Sequence, residues 1–407
     1  MTQQPAEQQQ AQQADSQPAA EQQAAQAQPA GSRPAEGKAG QQQQQAPTQQ
    51  EEWPTQQQEQ QKQQEQQQAQ QPEAQQAPAP PAKRGIDIYR EFQANVSSCF
   101  NEWAGLECLR QQKDWTPGPG QYRFPHFAII GFQKCATTSL FHHLAQHPQV
   151  LHSFPKEPEF FTETCNFNAL RCNRSAQFQY MRDVLRFVDA QSINFTAAAF
   201  EGSTHYALEG RWLAPQMAHL FPWLRMIVSM REPISQAISM VFHNLDSNRN
   251  VGCYQRGNGQ IYRCGLEYLE DESRYANWLK PWLAAYPPEQ LYLFQYENLT
   301  ATENTMGALR DLKRWLGVAK ALPNDELPVS NARHQTKQTE GWPMLRWQYW
   351  KLVEKARRNM MEVVEIVEQY GYADPEGWVK NWEAWWQMNL DERCGAAPDS
   401  ECMILLS

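Results

Sequence analysis

Long apolar runs are the first thing this chain lacks. No stretch of its 407 residues approaches the roughly 18–20 consecutive apolar residues of a membrane-spanning helix. No charged-then-apolar leader opens it either, so the sequence as it stands implies a soluble, unanchored polypeptide. A basic excess is also missing. The net charge is −9, which argues against nucleic acid as the main partner, because neutralising phosphates takes surplus Lys and Arg. His, Cys and Asp nowhere stand at metal-ligand spacing, so no metal is expected.

Large side chains are scarce at the start. Thirty-three of the first 84 residues are glutamine, and Trp53 is the single large apolar side chain among them. No core can offset the ordering entropy of such a segment, so residues 1–84 read as a disordered tail or stalk. A coiled coil would need an apolar heptad seam, which is absent. From Gly85 the composition turns globular, and residues 85–407 suffice for one large α/β domain.

Cysteine, by contrast, is plentiful. With Cys135 set aside, eight remain in locally spaced pairs: Cys99 and Cys108, Cys165 and Cys172, Cys253 and Cys264, Cys394 and Cys402. Local pairing is one of 105 connectivities. Sequons stand at Asn95, Asn173, Asn194 and Asn298. Together these favour an oxidising, luminal compartment. Reduced buried cysteines in a cytoplasmic enzyme are the competing reading, favoured by the missing leader.

Strands and helices alternate along the globular part. "HFAIIGF" (126–132) is an apolar run ending near a glycine, as a buried parallel strand does. "TTSLFHHLAQH" (137–147) has helical spacing and is closed by Pro148. "RMIVSM" (225–230) is strand-like, and Pro233 suits the first position of the helix that follows. A helix at 273–286 and a strand at 290–299 come next, and the chain from 343 onward reads as mostly helical. The order implies a three-layer α/β/α fold around a mainly parallel sheet. Ligands on such sheets bind beyond the carboxyl ends of the strands, which puts Gly131–Ser139 and Arg231 on one edge.

The turn "GFQKCATTSL" (131–140) is built for an anion. Its backbone N–H groups and the helix dipole face outward, Lys134 adds a charge, and Thr137, Thr138 and Ser139 add hydroxyl donors. The order differs from the triphosphatase loop G-x-x-x-x-G-K-[ST], because the lysine comes early and Ala136 precedes the threonines.

The same turn resembles the 5′-phosphosulfate loop of sulfotransferases that use 3′-phosphoadenosine 5′-phosphosulfate. "MIVSMREPISQAISM" resembles that family's 3′-phosphate segment, with Arg231 and Ser239 at the matching positions. "FPKEPEFF" (154–161), "FEGSTHY" (200–206) and "NARHQTKQTEGWPM" (331–344) are similar to stretches of the Golgi heparan and chondroitin/dermatan carbohydrate sulfotransferases. The resemblance spans about residues 124–370. It implies a P-loop-like fold, the phosphosulfate nucleotide as cofactor, a glycan acceptor and a Golgi lumen setting. It also implies a cofactor site of Lys134, Cys135, Ala136, Thr137, Thr138, Ser139, Arg231, Ser239 and Lys337. Three departures stand out. Ala136 replaces a frequent glycine, Glu159 a frequent histidine, and Gly202 a lysine common in the heparan-type enzymes.

By the logic of phosphoryl transfer, positioning and electrostatics should dominate sulfuryl transfer. Lys134 would stabilise the departing phosphate and Glu157 would take the acceptor proton, with His205 and Glu201 as alternatives for that role. "RWQYWKLVEKARR" (346–358) could meet an anionic glycan, although taken by itself it reads first as a solvated amphipathic helix. Two rivals remain. A kinase-like enzyme should carry a magnesium-binding carboxylate at a later strand end, where this chain has Arg231. A non-catalytic glycan-binding module would tolerate Glu159 and Gly202.

Overall fold

The computed structural model describes residues 105–166, 172–249, 251–256, 261–300, 302–318, 340–372 and 374–407, all within the compact unit Pro80–Ser407. The expected tail, its boundary at Gly85, and Lys337 lie outside the described residues.

Five short strands form one parallel sheet: β1 (Phe127–Gly131), β2 (Val150–His152), β3 (Ala198–Glu201), β4 (Arg225–Met230) and β5 (Leu291–Gln295). Their order is β2-β3-β1-β4-β5, and every pairing is parallel. Neighbouring side chains of each strand feed opposite cores, as the pleat requires. Ala128 and Ile130 of β1 join one cluster, with Met226 and Val228 of β4. Phe127 and Ile129 join the other, with Phe200 and Ile227. A parallel sheet buried on both faces needs helices on both, and this one has them.

Helices α1 (Thr137–Ala145) and α6 (Thr302–Leu316) cover one face through Leu140, Leu144, Leu309 and Leu312. On the other lie α2 (Gly210–Leu220), α3 (Pro233–Asp246), α4 (Ile261–Glu270), α5 (Tyr275–Ala285), α7 (Arg346–Gln369) and α8 (Pro375–Glu392). The three-layer expectation holds. No described helix is long and apolar enough to cross a membrane.

Three details differ from the expectation. The strand placed at 290–299 stops at Gln295 and gives way to a short helix, Tyr296–Thr300. Glu297 causes the turn-off: its buried carboxylate accepts from Glu232 N at 2.9 Å and Trp382 Nε1 at 2.9 Å. Strands β2 and β3 are too short, three and four residues, to declare a period in sequence. The helical C-terminal third also carries an antiparallel pair, β6 (Trp342–Leu345) with β7 (Glu401–Ile404).

Three local disulfides form, Cys165–Cys172, Cys253–Cys264 and Cys394–Cys402. Cys108 is also disulfide-bonded. Cys135 is free and buried.

Candidate active site

The strand order reverses direction at β1, so the crevice between the carboxyl ends of β1 and β4 is the topological switch point of the sheet. The Lys134–Ser139 turn sits there. Lys134 (φ 64°) and Ala136 (φ 59°) both adopt left-handed backbone, which curls successive N–H groups into a concave nest for an anion. Because Ala136 stands in the left-handed region, the frequent glycine at that position has a conformational reason. The turn is held from behind. Ser229 Oγ donates to Cys135 O at 2.7 Å, Phe132 N to Ser229 O at 2.8 Å, and Gln236 Nε2 to Gln133 O at 3.3 Å.

The Cys135 side chain faces the interior, and burial pushes its thiol up to about 12. Only its backbone is available to a ligand. Thr137 and Ser139 are largely buried, while Thr138 and Lys134 remain half-exposed. Gly131 has a packing reason: a Cβ there would come within 2.5 Å of Ala207 Cβ.

Arg231 follows β4 directly and reaches the same crevice, its Nη1 lying 3.5 Å from Lys134 O. Its guanidinium lies 4.6 Å above the Tyr296 ring. It already holds oxygen ligands: Nε donates to Ser407 Oγ at 3.1 Å, and Nη2 donates to Ser407 O. Ser407 N in turn donates to Ser235 Oγ at 3.0 Å. Sequence reasoning missed Ser407 altogether, since nothing local marks it. Behind Arg231, Glu232 caps α3 by accepting from Ile234 N at 2.7 Å and Ser235 N at 2.8 Å. Burial raises the pKa of both Glu232 and Glu297. Ser239 lies one turn after Ser235 on α3, half-exposed.

The third wall comes from the strands on the other side of β1. Ser153 N donates to Phe200 O at 2.8 Å and Gly202 N to Lys156 O at 3.0 Å, which carries the 154–161 segment across the carboxyl ends of β2 and β3. Glu157 is ion-paired with Lys156 and accepts from Thr204 Oγ1 at 3.3 Å. Its side chain is 38% exposed, so the carboxylate is open to solvent. A Cβ at Gly131 would also lie 3.3 Å from Thr204 O, so this wall packs close against the end of β1.

His205 Nδ1 lies 3.5 Å from Glu159 Oε1, an ion-pair distance that is long for a hydrogen bond. The Glu159 carboxylate raises the pKa of His205 against the effect of burial. Glu159 is the residue noted only as a departure in sequence, and it proves to be the partner of His205. Beneath them Glu201 is fully enclosed, accepting from Tyr180, from Ser203 Oγ at 2.6 Å and from Tyr206 Oη at 3.3 Å. Burial pushes its carboxyl up to about 7. Gly202 has no room for a side chain, since a Cβ would meet Phe141 Cδ2 at 2.9 Å.

The basic helix segment 346–358 is mostly spoken for. Lys355 pairs with Glu270, Arg357 with Glu383, and Arg346 Nη1 donates to Leu390 O. The reading of this segment as an amphipathic helix gains from those contacts, with its basic side chains paired and not left to solvent.

Residues 125–321 match the model of the Sulfotransferase family. The resemblance read from the turn is therefore borne out across the centre of the chain. Similar proteins include a bifunctional heparan sulfate N-deacetylase/N-sulfotransferase of Drosophila melanogaster, 25% identical over 272 residues, covering 60% of this chain and 24% of that protein. Human heparan sulfate glucosamine 3-O-sulfotransferase 6 is 25% identical over 236 residues, covering 56% and 60%. Human carbohydrate sulfotransferase 15 is 22% identical over 281 residues, covering 54% and 50%. The chain thus spans between a quarter and three fifths of the length of these relatives. Among solved structures, a sulfotransferase from Alicyclobacillus acidocaldarius is 19% identical with a TM-score of 0.42, covering 63% of this chain and 98% of that one.

Proposed function

We propose that this chain is a sulfotransferase that moves a sulfuryl group from 3′-phosphoadenosine 5′-phosphosulfate to a hydroxyl or amine of a glycan. The observation that carries the reading is the union, at one switch point, of the Lys134–Ser139 nest with Arg231 and with the Glu157/His205 wall. The match to the sulfotransferase family supports it, and the heparan and carbohydrate sulfotransferases among the relatives support a glycan acceptor.

The residues present fit the nucleotide. Arg231 already directs two of its N–H groups at oxygens of Ser407, so the guanidinium is presented for a bidentate oxyanion such as the 3′-phosphate. The nest and the first turn of α1 would hold the 5′-phosphosulfate end through Cys135–Ser139, with Ser239 on the 3′ side and Lys337 as a further contact. When bound, the nucleotide supplies an activated sulfuryl group on a good leaving phosphate.

The remaining chemistry belongs to this chain. Lys134 places a positive charge beside the turn, where negative charge grows as the sulfur–oxygen bond breaks. Glu157, exposed and positioned by Lys156 and Thr204, receives the acceptor proton on a carboxylate oxygen. The raised pKa of His205 keeps that ring protonated to higher pH, which suits a cationic positioner of an anionic acceptor better than a base. The local disulfides support folding in an oxidising compartment, hence a secretory route through the Golgi lumen.

The test is calorimetric titration of the full chain with 3′,5′-adenosine bisphosphate, beside ATP–magnesium and the Lys134→Ala variant. Micromolar-range binding of the bisphosphate, weakened about tenfold or more in the variant and absent for ATP, is the expected result. A folded sample that ignores the bisphosphate would refute the reading.

A further inference from the structure

A cleft of about 810 Å³ opens at the opposite edge of the sheet from the site above. His126 precedes β1, Arg225 begins β4, and Leu316 ends α6, so the amino ends of the strands form its floor. The volume lies in the range of small-ligand sites. Its charge is unlike that of the whole chain. The net charge of the protein is −9, yet Arg110, Lys113, Arg123 and Arg225 line this cleft against Asp114 as the one carboxylate.

That carboxylate is already engaged at 3.9 Å with Lys113. The three guanidiniums have no carboxylate within ion-pair distance among the described residues. Two are fixed in place by backbone carbonyls, and Asp114 acts on Arg123 only from beyond ion-pair distance. Arg123 Nε donates to Trp115 O at 2.9 Å and Gln112 O at 3.1 Å, and the group lies 6.0 Å from the Trp223 ring. Arg225 donates to Trp315 O and lies 5.3 Å over the Trp315 ring. Backbone carbonyls orient a guanidinium but leave its charge unbalanced. The third, Arg110, has a buried Nε with no hydrogen-bond partner at all, and a buried donor in that state is costly until something accepts from it.

His126 adds shape rather than charge. Burial drops His126 to about 4, with its Nε2 2.9 Å from Leu316 O. His219 is held by Glu107 at 2.7 Å.

We infer that this cleft binds the sulfate or carboxylate groups of an anionic oligosaccharide, at a second site remote from the reaction. Three guanidiniums around one concavity, two of them preset, match clustered oxyanions on a short chain. The choice of a glycan over other oxyanion carriers rests on the proposed sulfotransferase reading; the cationic geometry does not. A glycan long enough to hold both edges would be retained between transfers, which multiplies its effective concentration at the reaction site.

The test uses the full chain and a heparin-derived hexasaccharide, with calorimetry for affinity and hydrogen–deuterium exchange for location. The expected result is protection of residues 106–123 by the hexasaccharide. That protection and about tenfold in affinity at this site should be lost in both Arg110→Gln and Lys113→Glu. Lys113 is a surface residue with a 49% exposed side chain, so its variant reports even if Arg110→Gln folds poorly. Bisphosphate affinity should be unchanged in both. Unaltered hexasaccharide binding in Lys113→Glu with no protection at 106–123 overturns the inference. Tighter binding of a charge-matched RNA oligonucleotide to the same segment also overturns it. Failure of the bisphosphate to bind, with hexasaccharide protection intact, would instead sink the sulfotransferase reading and leave the cleft standing.

Discussion

Ser407 occupies Arg231, so any oxyanion that uses this guanidinium has to displace it. Its departure breaks Arg231 Nε to Ser407 Oγ, Arg231 Nη2 to Ser407 O and Ser407 N to Ser235 Oγ, along with a hydrogen bond between Ser407 and the Glu297 carboxylate. The incoming phosphate replaces the first two with stronger charge-assisted bonds, so only part of their worth opposes binding. Taking a net 0.5–1.5 kcal/mol for each ordinary hydrogen bond, the displacement costs roughly 1–3 kcal/mol. That corresponds to about 5- to 150-fold in affinity. The segment is anchored upstream, because Leu405 N donates to Asn389 Oδ1 at 2.9 Å and Leu405 O accepts from Asn389 Nδ2 at 3.1 Å. Ending the chain after Leu405 should therefore free Arg231 without loosening the rest. The assay is titration of the full and shortened chains with 3′,5′-adenosine bisphosphate under identical salt. A gain in affinity of at least fivefold is expected, driven by a cheaper displacement. A fall in affinity would mean that Ser407 contributes to the site instead of competing for it, and would refute the reasoning.

Three further outcomes can be checked. Ala136→Gly should stabilise the fold by about 0.5–1 kcal/mol, because glycine escapes the left-handed penalty at φ 59° and offsets its greater unfolded freedom; a lower urea midpoint would contradict this. Glu201, whose carboxyl burial raises to about 7 from an ordinary 4.5, is protonated when folded and ionised when unfolded between those values. Folding then takes up a proton, so stability should fall by roughly 3 kcal/mol as pH rises from about 4.5 to 7 and level off above. Denaturation of Glu201→Gln across that range should show a shallower slope, and an unchanged slope would count against the assignment. Converting Cys253 and Cys264 to serine opens a cross-link with a sequence separation of 11 and should cost about 3 kcal/mol by the loop-entropy estimate. Melting that does not shift would show that this bridge adds nothing to the fold.

Much of the chain was legible residue by residue. An apolar run ending in glycine, a lysine three residues on and two threonines opening a helix predict β1, the anion turn and α1. Arg-x-Pro after a second apolar run predicts β4, the capped start of α3 and a cation on the same edge as Lys134. These signals are local, because backbone preference and short-range periodicity act within one turn or one strand. Local cysteine spacing offered the pairing that the three described bridges take, but only as one connectivity among 105.

What stayed hidden is long-range. Glu159 looked like a lost histidine until folding brought His205 to 3.5 Å from it across 46 positions. Glu297 appeared to lie inside a strand, but its contacts with Glu232 and Trp382 end β5 early. Ser407 carries no motif, and only the return of the chain from α8 through β7 sets it on Arg231, 176 residues away. The cationic cleft draws Arg110 and Lys113 from one short helix, Leu106–Asp114, Arg123 from the loop before β1 and Arg225 from β4, and no sequence pattern links the three. Sequence by itself determined the strand, turn and helix that shape the anion nest, because those follow from local sterics and hydrogen bonding. Which side chains face that nest, and which gather at the far edge, was decided only by tertiary structure, because packing two faces of one parallel sheet places residues by crossover and register, without regard to their distance along the chain.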